Sequence, residues 1–360
     1  MRNWKSLLSL GAASWMALSG ATAIAQSIDS AAPADKEQTR TAPVRKVQNY
    51  GPLNAPPSVL PSTLAFQPLP YDEDYTHLGD PGTRSSTWEK LKNIPIGDGF
   101  LTIGGELRPR VEVRDHLGFG RGNEDKGVDF QLRSRLWADL HVTEVVRVFG
   151  ELQSGVTQGL DYAPVAVDQN PIELHQAFVE LSHKLPDNGK VLLRLGRQEI
   201  AFGKARLFDT RNPPNNRRSY DAARLQITSG PWRFGVLGGA VVADKLGSFN
   251  DGTNNGWTFV AAHASRKLGK LLPGAELELL YIHTDRDSAP AAVFVGERDT
   301  LSARLAGTAG KFAYDVELVG QHGSIRSTGE QVRAWFVGTD AAWQLPGPLS
   351  PRIGLRADIG

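Results

Sequence analysis

The chain has 360 residues, 40 Lys+Arg against 39 Asp+Glu, 40% hydrophobic side chains, 38 Gly and no Cys. That excludes a disulfide scaffold and a cysteine-held metal site, and its neutral balance offers no bulk attraction to nucleic acid. Beyond the N-terminus no run approaches the ~18 apolar residues of a membrane helix, which excludes a helical membrane protein.

Residues 1–25 read as a signal peptide. Arg2 and Lys5 precede a moderately apolar stretch from Leu7 to Ile24, and Ala23-Ile24-Ala25 forms the small-x-small pattern of a cleavage site. Residues 26–93 are rich in Pro, Ala, Ser and Gln and read as an extended periplasmic tether. Only Ser86-Thr87-Trp88-Glu89-Lys90-Leu91 offers a capped single turn before Pro95.

From residue 94 to 360 the texture is that of one all-β domain. In Leu101–Arg114, Leu101, Ile103, Leu107, Val111 and Val113 alternate with Thr102, Glu106, Arg108, Arg110, Glu112 and Arg114. The next run sets Val128, Phe130, Leu132, Leu136 and Leu140 against Asp129, Gln131, Arg133, Arg135, Trp137 and Asp139. Then Val146, Val148 and Leu152 oppose Arg147, Glu151 and Gln153. Weaker alternation recurs to the end, giving about twelve strands and a cut thirteenth, joined by Gly-, Asn-, Asp- and Pro-rich turns that make neighbours antiparallel. Pro109 requires a bulge or a break in its strand. The strands exceed the ~5 to 6 residues usual in a soluble sandwich and suit the ~9 to 11 of a membrane span. The expected fold is therefore an antiparallel transmembrane β-barrel, oily face to lipid and ionic face to the lumen. Phe100, Tyr220, Trp232, Trp257, Tyr281 and Trp343 near strand ends read as interfacial girdles.

On that expectation the lumen is rich in arginine, whose planar fork grips carboxylates and phosphates. The candidate pore-lining, anion-binding residues are Arg108, Arg110, Arg133, Arg135, Arg147, Arg194, Arg197, Arg206 and Arg224. Glu106, Glu112, Glu151, Glu180 and Glu199 are the acids expected to hold them extended. Between Lys190 and Arg224 nine basic residues face three acids.

Leu78-Gly79-Asp80-Pro81, Trp88-Glu89-Lys90-Leu91-Lys92 and Leu101-Thr102-Ile103-Gly104-Gly105-Glu106-Leu107-Arg108 resemble the entry to the alginate export family of outer-membrane porins. So do Leu174-His175-Gln176-Ala177-Phe178-Val179-Glu180-Leu181 and Leu193-Arg194-Leu195-Gly196-Arg197-Gln198-Glu199. The resemblance runs from about residue 70 to the end. It implies an 18-stranded barrel of the bacterial outer membrane, bathed in outer-membrane lipid, that passes an anionic uronate polymer delivered by periplasmic export machinery. It also implies that Arg108, Arg110, Arg194 and Arg197 line the pore. Against that strand count the chain reads as truncated by about five strands.

Three other readings compete: a general or substrate-specific uptake porin for small anionic solutes, an outer-membrane hydrolase, and a soluble β-rich sugar-binding protein. The hydrolase has only Asp115-His116, with Ser85-Ser86 upstream, to work with, and no nucleophile-elbow, zinc-protease or phosphate-loop pattern occurs, so no catalytic residue is assigned. Tyr71-Asp72-Glu73-Asp74 lacks the alternate spacing of a calcium loop, and His175, His183, His263 and His283 have no metal spacing. No metal and no cofactor is expected.

Overall fold

A computed structural model describes residues 66–115, 127–160, 164–186, 188–287, 295–347 and 350–360, all within the compact unit Tyr50–Gly360. The proposed signal peptide, the first part of the Pro-rich segment and His116 lie outside the described residues.

From Phe66 the chain is not an extended tether. It makes four short 3-10 turns, Pro70–Asp72, Thr76–Leu78, Pro81–Thr83 and Glu89–Leu91. Pro70 and Pro81 each stand at the first position of a turn, where a fixed φ helps and no N–H is needed, so these prolines begin structure. The last turn carries a capping box. Ser86 Oγ accepts from the Glu89 amide, and the Glu89 carboxylate accepts from the Ser86 amide at 2.9 Å.

Fourteen strands follow in a single meander: β1 (Ile94–Ile96), β2 (Gly99–Arg114), β3 (Gly127–His141), β4 (Val146–Gln158), β5 (Asn170–Leu185), β6 (Gly189–Gln198), β7 (Tyr220–Ser229), β8 (Trp232–Ala243), β9 (Gly252–Lys267), β10 (Ala275–Arg286), β11 (Gly296–Ala309), β12 (Phe312–Ile325), β13 (Gln331–Gln344) and β14 (Arg352–Ile359). Each pairs antiparallel with the strand before and after it, and β1 and β14 are not paired to each other. Thirteen of them match the runs of alternation; the short β1 adds the fourteenth. Connections at 230–231 and 310–311 are tight, whereas those at 199–219 and 244–251 at the opposite end are long. Short turns mark the periplasmic end of such a wall and long loops the outer end.

Burial is inverted relative to a soluble protein. On β3, Leu136 is 57% exposed and its neighbour Arg135 only 5%. Val111, Val113, Val128, Leu107, Val236, Val260, Leu301 and Leu318 are likewise exposed, while Asp129, Gln131, Arg133, Glu151, Glu180 and Glu317 are buried. Such a sheet is stable only with hydrocarbon against its outer face. No helix among the described residues is long and apolar enough to cross a membrane.

Two expectations change. The β2–β3 register runs straight through Pro109, opposite Leu132, with no bulge. Among the described residues the β1–β2 ladder on the other edge reaches only Leu101, so Pro109 lies outside it. The register shifts fall elsewhere, between Glu151/Leu152 and Gln153/Gly155 on β4 and between Ala240/Val242 on β8. Of the proposed girdle, Trp232, Tyr281 and Trp343 face outward, but Tyr220 is buried and Trp257 packs beside it in an interior apolar cluster.

Candidate functional site: an arginine-lined lumen and its inward loop

Inside the wall, the connection 199–219 folds inward and crosses from one side of the sheet to the other. Its two flanks are held by different forces. On one flank Ile200 and Phe208, with Phe202 and Leu207, pack on Tyr220, Ala222, Leu237, Val241, Phe259, Ala261, Leu280 and Ile282 of β7–β10. On the other flank the loop backbone is gripped by wall arginines. Arg108 donates to the Asn212 and Pro214 carbonyls at 2.6 and 2.7 Å, and Arg110 donates to the Pro213 carbonyl. Arg133 donates to the Asn212 side chain at 2.8 Å. Farther round, Lys204 and Arg206 reach Asp340 of β13, and Arg206 also binds Glu317 of β12 at 2.7 Å.

The Asn212-Pro213-Pro214-Asn215-Asn216 run explains this path. Two prolines forbid a ladder, and the flanking asparagines supply donors for backbone carbonyls that the loop would otherwise strand. Asn215 Nδ2 donates to the carbonyls of Val156 and Asp168, and Asn216 Nδ2 to that of Ala166. Gly155 makes room: a Cβ there would sit 2.0 Å from Asn216 Oδ1. Gly196, in the Gly-Arg-Gln segment, has a φ of 127° and would clash with the Ala177 carbonyl if it carried a side chain.

Beneath the loop, Arg133, Arg135 and Arg217 share three carboxylates (Glu106, Glu151, Glu199), and Arg108 stands beside them as a fourth guanidinium held by loop carbonyls. Glu106 holds both Arg133 and Arg135, at 2.7 and 3.2 Å. Arg135 makes a two-pronged contact with Glu151 at 2.6 and 3.0 Å and lies 3.5 Å from Glu199. Glu199, wholly buried, takes both prongs of Arg217 and a hydrogen bond with His175 Nε2 at 2.9 Å. Glu112 pairs with Arg110 and Arg114.

Nearer the periplasmic end, Glu180 joins Arg194 at 2.7 Å and lies 3.6 Å from Arg147, which is also fixed by Asp139 at 2.7 Å. Tyr71 inserts here from the N-terminal segment. Its ring packs on Phe149 and Phe178, the Arg194 guanidinium lies 4.0 Å from its centroid, and its hydroxyl donates to the Glu199 carbonyl at 2.6 Å. The Tyr71 carbonyl accepts from Arg147, and that of Pro68 from Arg217.

Most of the arginines singled out in the sequence therefore face the interior. Arg206 does so from the loop, and Arg224 lies 5.5 Å from the Phe202 ring and donates to Gln226, with no carboxylate in an ion pair among the described residues. Arg197 differs. It follows the parity of exposed Leu195, opposite to Arg194, and pairs with Asp221 on the outer face at 2.9 Å. The strand periodicity itself separates Arg194 from Arg197. Sequence reading did not single out Tyr71, Asn212, Asn215, Glu317 or Asp340 as site residues, and it located Lys204 and Arg217 only as members of the basic cluster; the Pro-Pro-Asn-Asn run is the available signal for the loop.

A meander of long strands with apolar side chains outward and a paired ionic interior defines an outer-membrane β-barrel protein. The chain belongs to the alginate export family, whose sequence pattern matches residues 100–360, and its place is the bacterial outer membrane. Its backbone is similar to that of in-vitro folded OmpT, an outer membrane protein of Vibrio cholerae. There the TM-score is 0.35 and identity 10%, over 74% of this chain and 89% of that one. A loop L8 deletion mutant of OmpT gives a TM-score of 0.34 and 10% identity, over 73% and 95% of the two chains. No curated protein matches the chain.

Proposed function

We propose that this outer-membrane protein is a passive channel for anionic solutes, with an acidic polysaccharide of the uronate type as its principal cargo. The observation that supports it is the cluster beneath the inward loop, where four guanidiniums face three carboxylates, with Arg224 nearby forming no ion pair among the described residues. Because Glu106, Glu151 and Glu199 fix the arginines in place, little reorganisation accompanies the arrival of a carboxylate. Guanidiniums replace water around each carboxylate, and several weak contacts in series let it leave again. In this reading residues 1–25 are removed on export. Residues 26–93 are the periplasmic entry segment of the barrel at 94–360, beside the place where periplasmic export machinery delivers the polymer.

The test is conductance in planar bilayers under a salt gradient, with short oligouronates added to either side. Anion-selective current blocked by oligouronate is the expected result; weakly selective current indifferent to it leaves a general uptake porin instead. Arg224→Glu is expected to lower the anion-over-cation permeability ratio severalfold, while Arg197→Glu on the outer face leaves the reversal potential unchanged. Equal shifts in both variants would sink the lumenal assignment.

A further inference from the structure

Among the described residues, one pair of arginines at the outer mouth of the lumen forms no ion pair with a carboxylate. Trp257 of β9 stands directly opposite Arg286 of β10, and the two follow the inward parity of buried Phe259 and Ile282. The Arg286 Cζ lies 3.9 Å from the Trp257 ring centroid, and Arg218, at the end of the inward loop, brings its own Cζ to 5.1 Å. Two like charges thus converge on one indole.

Three nearby acids are engaged elsewhere. Asp244 pairs with Arg211, and Asp285 and Asp287 both pair with Arg326. Tyr220 hydrogen-bonds the Arg218 side chain and donates its own proton to the Asp209 carbonyl at 3.0 Å. Among the described residues no carboxylate forms an ion pair with Arg218 or Arg286, and residues 288–294 contain no acid. The Nε atoms of both arginines are buried without a hydrogen-bond partner. An aromatic face offsets part of the cost of holding a cation there, by about 0.5 to 2 kcal/mol, but it supplies no acceptor for the N–H groups. Arg211, beside Arg218, and Arg326, beside β10's end, each have a carboxylate partner.

We propose that Arg218 and Arg286, oriented by Trp257, form an oxyanion-binding site at the outer mouth whose ligand is the carboxylate of a uronate. The identity of the carboxylate as a uronate rests on the conduction reading above; the site itself does not. The two guanidiniums come from different elements, one from the loop and one from the wall, so a carboxylate accepting from the outer N–H groups of both ties the loop to β10.

Full-length protein in lipid nanodiscs, titrated with glucuronate or with glucose, tests this through tryptophan fluorescence, with Trp257→Phe isolating the signal of Trp257. Glucuronate is expected to produce a Trp257-dependent change and glucose none. Arg218→Gln and Arg286→Gln should each weaken the glucuronate response about tenfold or more, with heat-modifiable migration preserved as the check on folding. An equal response to glucose, no response at Trp257, or unchanged affinity in both glutamine variants would overturn the site. A channel without anion selectivity that still responds at Trp257 would overturn the conduction reading and leave this site standing. Anion selectivity with no response at Trp257 would do the reverse.

Discussion

Glu199→Ala is expected to release the inward loop and to lower the temperature at which the folded protein loses its heat-modifiable migration. Glu199 is wholly buried and is the common partner of Arg217, Arg135 and His175. Its removal leaves Arg217 without a carboxylate beside Arg135, which keeps Glu151 and Glu106, and breaking a buried ion pair from one side costs about 3 to 5 kcal/mol. The cost lies in the isolated charge, so Glu199→Gln combined with Arg217→Gln should recover part of it, and limited proteolysis within 199–219 should follow the same order. If the double variant is as unstable as Glu199→Ala, charge isolation is the wrong account of the network.

Tyr71→Ala should detach the N-terminal segment from the lumen and raise single-channel conductance. Truncating a buried aromatic ring costs about 3 to 5 kcal/mol, and this ring is packed by Phe149, Phe178 and Arg194 together. Tyr71→Phe keeps that packing and gives up only the bond to the Glu199 carbonyl, about 1 kcal/mol, so its conductance should stay near wild type. Wild-type conductance in Tyr71→Ala would show that the segment does not obstruct the path.

The same segment carries a pH dependence. Burial pushes the Glu73 carboxyl up to about 7, against the opposing pull of Lys92 and the hydrogen bonds from the Tyr75 hydroxyl and the Gln67 amide. A released Glu73 titrates near the ordinary carboxylate value of about 4.5. Docking is therefore strongest below that value and weakens as pH rises through 7. Conductance should increase between pH 5 and pH 8, and Glu73→Gln should flatten the rise.

The wall was legible in the sequence where its two faces differ. Along β2, β3 and β4, charged and apolar residues alternate because lipid lies on one side and a polar interior on the other, and each strand was found within a few residues. From β7 to β10 the alternation fades for a physical reason. Leu237, Ala261, Leu280 and Ile282 face inward yet meet the apolar flank of the loop, so both faces of those strands are oily. A periodicity reading cannot detect a partner that comes from elsewhere in the chain. The cluster of basic residues from Lys190 to Arg224 shows the same limit. Composition located it, but only three-dimensional placement sorts it into a lumenal residue (Arg194), an outer-face residue (Arg197) and loop anchors (Lys204, Arg206, Arg217).

The inward loop also fixes an order of events. Each strand pairs only with its neighbours in sequence, so the sheet is made of local contacts that zip hairpin by hairpin. The loop instead joins residues far apart: Arg108 to Asn212 across 104 positions, and Lys204 to Asp340 across 136. Lys204 has no Asp340 to bind until β13 is in place. The wall can therefore assemble around an unfilled interior, and the lumen acquires its final charge pattern last.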